Sequence, residues 1–166
     1  MSANVQVRSG FTLCVGSTED FCSVAYSLQY EMQPHTVVRM VRAKNMISAR
    51  ALFNEFAAAL QFPCYFGNNW NAFDECIADL EWLPGKGYLI MIVDGSYVLR
   101  DEPDELAVFL RIMRSVSQEW EEVRGIRFQI LLQCTDEDLD AVRQVFAVPV
   151  DEVHVSELKS LLSVGT

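Results

Sequence analysis

Three carboxylate side chains lie close together near the middle of the 166-residue chain, at Asp74, Glu75 and Asp79. Clustered carboxylates can hold a metal ion or act as general acid and base. Hydrolytic sites usually add a histidine, a lysine or ligands at metal spacing, and none is evident near this segment. The histidines, His35 and His154, are far apart, and each flanks a predicted strand. We therefore predict no enzymatic activity, no metal and no cofactor. The alternative is an enzyme that uses these carboxylates in its active site, which metal-dependent turnover would reveal.

Other chemical motifs are absent from the sequence. There is no GxxxxGK[ST] or GxGxxG phosphate-binding loop and no GxSxG motif. The acidic run 136–140 begins like a calcium loop, but Ala141 occupies the position that needs glycine, so the acidic first turn of a helix is the better interpretation. The five cysteines form no CxxC pair, which is typical of reduced thiols in a cytoplasmic protein. We expect no signal peptide and no membrane-spanning segment.

The composition and charge favour a globular protein with a basic partner. Hydrophobic residues make up 51% of the chain, and its length fits a single domain over residues 1–166. The net charge is −10, which disfavours binding to nucleic acid or to an anionic membrane. Residues 1–66 carry five basic and four acidic groups, net +1, whereas residues 67–166 carry eight basic and nineteen acidic groups, net −11. The excess acidity therefore lies in the second part of the chain.

The segment 68–82 is predicted to form a helix with two different sides. Residues on the apolar stripe, placed at 100° steps, are Trp70, Phe73, Ile77 and Leu80. Residues on the opposite side are Asn71, Glu75, Ala78 and Trp82, with Asn68 and Asp79 beside them. Asp74 and Glu81 lie at one shoulder, and no cation interrupts the polar side. This side is either a solvated acidic face or a docking surface for a basic cleft, with Tyr65 and Trp82 as aromatic anchors.

Hydrophobic periodicity and turn residues predict an α/β fold. Strands are expected at 11–15, 36–42, 88–93, 126–133 and 152–155. Helices are expected at 18–32, 48–61, 68–82, 103–122, 136–146 and 156–162. The continuous apolar run 88–93 is typical of a strand that is buried on both faces of a parallel sheet.

The stretch 62–77, which reads FPCYFGNNWNAFDECI, resembles the signature of the barstar-like family. Members of that family are small bacterial inhibitors of secreted ribonucleases of the barnase type. The order of the surrounding elements extends the resemblance over about 36–134, and leaves 1–35 and 135–166 as extensions. The resemblance implies a small three-stranded parallel sheet packed with helices, to which the extensions could add short edge strands.

The resemblance also implies which residues bind the partner. In the family, a helix and its preceding loop block the ribonuclease active site, and a central aspartate takes the place of a substrate phosphate. By position that aspartate is Glu75 here, while a second family aspartate falls on Asn71, so one charge is lost and one side chain is lengthened. The implied partner-binding residues are Tyr65, Phe66, Gly67, Asn68, Asn69, Asn71, Asp74, Glu75, Asp79 and Trp82.

Together, these features predict a cytoplasmic inhibitor or immunity protein. It would be monomeric when free, and would bind and block a basic ribonuclease or related toxin through the acidic helix and the loop before it. A non-inhibitory interaction or assembly module on the same fold is the alternative. The sequence leaves open which enzyme or toxin is the partner, and what the two extensions do.

Overall fold

A five-stranded, wholly parallel sheet forms the centre of the computed structural model, which describes residues 10–146 and 150–163. The strands are β1 (Gly10–Val15), β2 (Thr36–Arg42), β3 (Gly87–Val93), β4 (Arg127–Cys134) and β5 (Asp151–His154). Their order across the sheet is β2-β3-β4-β1-β5. The three-stranded unit implied by the resemblance corresponds to β2-β3-β4, and the two extensions supply β1 and β5.

Helices cover both faces of this sheet. They are α1 (Thr18–Glu31), α2 (Ala49–Leu60), α3 (Trp70–Asp79), α4 (Leu106–Arg124), α5 (Leu139–Val145) and α6 (Leu158–Ser163). Side chains of α2, α3, α4 and α5 join one hydrophobic cluster, and those of α1 and α6 join a second cluster on the other face. No helix among the described residues is long and apolar enough to cross a membrane.

Strand β3 shows how the sequence produces these two cores. All seven of its residues are buried. Successive side chains of a strand point to opposite faces, so Tyr88, Ile90 and Ile92 enter the first cluster. Leu89, Met91 and Val93 enter the second cluster. The prediction of a strand buried on both faces is confirmed, and the physical reason is that helices cover both sides of a parallel sheet.

The N-terminal extension contributes more than an edge strand. Strand β1 pairs with β4 on one side and with β5 on the other, and its residues Leu13 and Cys14 are fully buried. Strand β5, from the C-terminal extension, is the edge strand on this side of the sheet, and β2 is the edge strand on the other side. The connection from β1 to β2 contains α1, which contacts β2, β3 and β4. The strands of the two extensions therefore belong to the same sheet as the strands of the family segment.

A buried glutamine joins the N-terminal extension to the other strands. The side chain of Gln133 is fully buried at the end of β4. Its Oε1 accepts a hydrogen bond from the Asp94 N–H at 2.8 Å, and its Nε2 donates to the Gly16 carbonyl at 2.9 Å. Asp94 follows β3 and Gly16 follows β1, so this one amide connects the chain segments that leave three adjacent strands.

Several helix boundaries differ from the sequence predictions. The largest difference is in the segment 68–82, where α3 covers only Trp70–Asp79. The long helix expected at 103–122 begins with a 3₁₀ turn, Pro103–Glu105, before α4. The helix expected at 136–146 begins later, at Leu139. The ends of the extensions, at residues 1–9, 147–149 and 164–166, lie outside the described residues.

We expect Gln133→Leu to lower the free energy of unfolding by about 2 kcal/mol, because it removes two hydrogen bonds and leaves the backbone groups of Asp94 and Gly16 without these partners. The measurement is urea denaturation followed by tryptophan fluorescence. Gln144→Leu is the matched control, since Gln144 is exposed on α5. Equal unfolding midpoints for the two variants would contradict the proposed role of Gln133.

Candidate protein-binding site

The loop before α3 is fixed by aromatic packing. After α2 the chain turns at Gln61, whose backbone is left-handed with φ of 54°. Phe62 is then buried, and its ring contacts the ring of Phe66 at a centroid distance of 5.1 Å. Phe66 also packs edge-on against Phe53 of α2, at 6.1 Å. Because the rings on either side of it are held, Tyr65 projects outward with 83% of its surface exposed.

Asn69 connects this loop to the helix. Its Oδ1 accepts a hydrogen bond from the Ala72 N–H at 2.9 Å, which is the N-cap interaction of α3, and its Nδ2 donates to the Gly67 carbonyl at 3.2 Å. A Cβ on Gly67 would lie 3.1 Å from the same Nδ2, so the close approach favours glycine there. Asn68, between them, adopts a left-handed backbone with φ of 49°. The family resemblance predicts that Asn69 contacts the partner, which stays a prediction, and the structure shows that its amide caps α3 and holds the loop.

One face of α3 is buried against the rest of the protein. Phe73 and Ile77 are fully buried, and Cys76 is nearly so. Trp70 is half-buried, with its ring edge-on to Phe53 at 4.8 Å and its Nε1 donating to Glu105 Oε2 at 2.5 Å. The apolar stripe predicted from sequence is therefore the packed face, with Cys76 added to it.

The opposite face of α3 is a column of exposed polar side chains. Asn71, Glu75 and Asp79 lie four residues apart, so they follow one another along one side of the helix, and all three are exposed. Tyr65 and Asn68 are exposed at the loop end of this column. We call these five residues the acidic column. It presents two carboxylates, two amides and a phenol to solvent, and a cationic partner is the complement to that chemistry.

Asp74 is placed differently from its neighbour Glu75. It is half-buried and faces α4, where the guanidinium of Arg111 and the carboxylate of Glu119 act on it. Burial raises the pKa of Asp74 above its usual value, the charge on Arg111 lowers that pKa, and Glu119 and Glu75 raise it. Asp74 is thus less exposed than Glu75 and lies at the shoulder of the helix where the sequence placed it, and its role in partner binding stays a prediction.

The C-terminal end of α3 is held by two residues of α4. The indole Nε1 of Trp120 donates to the Ile77 carbonyl at 3.2 Å, and Arg124 Nη1 donates to the Asp79 carbonyl at 3.5 Å. The Arg124 guanidinium also lies over the Trp120 ring, 3.9 Å from its centroid. A cation at the last carbonyls of a helix is favourable because the helix dipole is negative there. Sequence reasoning missed Trp120, Arg124 and Glu105, since their proximity to α3 arises only when α4 packs beside it.

Trp82 was predicted to stand exposed on the helix beside the carboxylates, and this placement is wrong. Leu80 takes a left-handed backbone with φ of 48°, and its side chain is almost fully buried, which ends α3 at Asp79. The chain then turns, and the Trp82 ring packs against Phe62 at 6.1 Å while its Nε1 donates to the Leu60 carbonyl at 2.9 Å. Trp82 therefore packs against the loop that precedes α3 and is not part of the helix. Glu81 remains exposed but lies beyond the helix.

We expect Asn69→Ala to lower the free energy of unfolding by about 1 kcal/mol, which is typical for the loss of an N-cap. Chemical denaturation measures the change. Asn71→Ala is the matched control: Asn71 is exposed within the same helix, and alanine is the better helix former, so that variant should be neutral or slightly more stable. The N-cap assignment fails if Asn69→Ala is as stable as the unchanged protein.

Asp74→Asn should make the protein more stable at pH 7. Because the folded-state pKa of Asp74 lies above its unfolded value of about 3.9, ionisation of this carboxyl disfavours the folded state. The free-energy cost of ionising Asp74 in the folded protein is absent when the pH is well below the unfolded-state pKa. It reaches its full size once the pH exceeds the folded-state pKa. The gain from Asp74→Asn should therefore appear as the pH rises through that window. Unfolding curves between pH 3 and pH 7, with the exposed Asp136→Asn as control, measure it; a gain that is the same at every pH would contradict the assignment.

Comparison with known proteins agrees with this geometry. The family model for barstar, the barnase inhibitor, matches residues 36–133, which is more than half of the chain. The match begins at β2 and ends in β4, and it includes the loop and α3. No curated protein gives a significant match to the chain. The extent of the family match and the order of the matched elements together show that the chain belongs to the barstar family of barnase inhibitors.

Proposed function

We propose that this protein inhibits a basic ribonuclease by placing the acidic column of α3 in the enzyme's active site. The observation that carries the proposal is the column itself: exposed carboxylates and amides on a helix whose other face and both ends are fixed by the protein core. A surface that is already rigid loses little conformational freedom on binding. The family to which the chain belongs consists of inhibitors of this kind.

Charge complementarity supports both recognition and speed. An active site that cleaves RNA binds phosphate with cationic groups, and Glu75 lies at the centre of the exposed column to meet them. The net charge of −10 would accelerate encounter with a cationic partner, and this acceleration should weaken as salt screens the charges. Glu75 and Asn71 replace two family aspartates, so the partner's cationic groups are expected to be arranged differently from those of barnase.

The remaining features of the proposal follow from the same surface. The protein acts as a stoichiometric blocker and catalyses no reaction itself. We propose that it is monomeric when free and that it acts in the cytoplasm, where thiols stay reduced, because all five of its cysteines are unpaired. Tyr65, at the loop end of the column, supplies an exposed aromatic ring of the kind that anchors interfaces.

The direct test is inhibition of RNA cleavage by barnase and by a panel of other basic ribonucleases, titrated with the purified protein. We expect inhibition of at least one enzyme at a one-to-one ratio, with an association rate that falls as salt is added. A chain that binds such an enzyme without reducing cleavage would instead be a non-inhibitory interaction module. Metal-dependent turnover by the chain alone would contradict the proposal.

Within an inhibited complex, Glu75→Ala should weaken binding by about 2–5 kcal/mol, because it leaves the partner's cationic group buried without its anion. Isothermal titration calorimetry measures the change. Glu137→Ala is the matched control, since it removes one exposed carboxylate from the loop before α5, outside the acidic column. If both variants bind equally well, the column is not the contact surface.

A further inference from the structure

The family segment and the C-terminal extension enclose an apolar pocket between α4 and α5. Its volume is about 120 Å³. The residues that form most of its wall are Leu106, Phe109, Leu110, Leu132, Val142 and Phe146. Its size is close to that of an engineered cavity of about 150 Å³ that accommodates benzene. Since α5 and Phe146 follow the family-matched residues, this pocket depends on the extension.

A groove of about 420 Å³ adjoins the pocket and shares Leu110 and Val145 with it. Two cations of α4, Arg111 and Arg114, line this groove together with Ser115. The chain as a whole has ten more acidic than basic groups, so two neighbouring arginines beside an apolar pocket are a local reversal of its charge. We call the pocket and the groove together the α4–α5 site.

Arg114 gives an independent indication that the α4–α5 site takes an anion. Its Nη2 is buried, and among residues 10–146 and 150–163 it has no hydrogen-bond acceptor. The guanidinium lies beside the Phe146 ring, with Cζ 5.6 Å from the ring centroid. A ring face attracts a cation but does not replace an acceptor for the N–H groups. Arg114 as a whole is half-buried, so its charge is partly removed from water, and an anion bound in the groove would pair with that charge.

We propose that the α4–α5 site binds a small carboxylic acid, as its anion, that carries a compact apolar group. The carboxylate accepts hydrogen bonds from Arg114 and is attracted by Arg111, since a guanidinium presents N–H donors in a geometry that matches a carboxylate. The apolar group occupies the pocket, whose volume limits it to about the size of a benzene ring or a branched five-carbon chain. The α4–α5 site shares no residue with the acidic column, so the proposal does not depend on ribonuclease inhibition.

The test uses the full chain and 4-methylpentanoate as the probe, followed by NMR chemical shifts and calorimetry. The controls are 4-methylpentanamide, which keeps the apolar group without the charge, and acetate, which keeps the charge without the apolar group. As 4-methylpentanoate is added, we expect the NMR signals of Leu110, Val142 and Val145 to shift until the site is saturated. Each of the two control compounds should bind at least about tenfold more weakly than 4-methylpentanoate. The substitution Arg114→Gln should weaken the binding of 4-methylpentanoate by about tenfold or more. The matched variant Arg50→Gln, an exposed arginine of α2, should have no effect.

Other outcomes would overturn the proposal. Acetate binding as tightly as 4-methylpentanoate would indicate attraction of any anion, and tight binding of the amide would indicate a site for neutral apolar molecules. A third outcome is that a peptide with a C-terminal leucine binds tenfold more tightly than 4-methylpentanoate and no longer binds when its C-terminus is amidated. That outcome would assign the site to the C-terminus of a protein instead. If Arg114→Gln does not fold, the ligand series on the unchanged protein still decides between these outcomes.

Discussion

The aromatic packing beneath α3 is the interaction on which the acidic surface depends. An acidic helix of ten residues has little stability of its own, and the carboxylate of Asp79 at its C-terminal end is unfavourable with respect to the helix dipole. Phe53 and Phe73 compensate by packing with Trp70, and Phe66 packs in turn on Phe53. Glu105, just before α4, bonds to Trp70 at one end of the helix, and Trp120 of α4 bonds to its other end. The core therefore supplies the stability, which leaves the outer face free to be arranged for recognition.

The extensions beyond the family segment are structural parts of the sheet. A strand of a buried parallel sheet exposes unpaired backbone groups when it lies at an edge. Strand β1 covers the side of β4 that would otherwise be open, β5 covers β1, and Gln133 links the ends of β1 and β3 through β4. The acidic column thus stands on a wider framework than the family segment provides, while the column and its loop remain within that segment.

Helix α4 lies next to both surfaces for which we propose a binding partner. It packs against α3, which carries Asp74, and it forms the α4–α5 site with α5. Arg111 belongs to both, because its charge acts on Asp74 and its side chain lines the groove. An anion in the groove would share Arg111 with Asp74, so the two surfaces are electrostatically connected through one side chain.

The sequence by itself determined the strands, the parallel α/β class, the family and the helix that carries the acidic column, because hydrophobic period, turn residues and a local motif are readable along the chain. It did not determine where α3 ends, since Leu80 turns left-handed when tertiary packing buries its side chain, and this turn removes Trp82 from the helix. Only the tertiary structure decided that Asp74 faces α4, that β1 lies inside the sheet, and that Arg114 meets the C-terminal extension. Each of these depends on contacts between segments distant in sequence, and a local pattern contains no information about which distant side chain will be the neighbour.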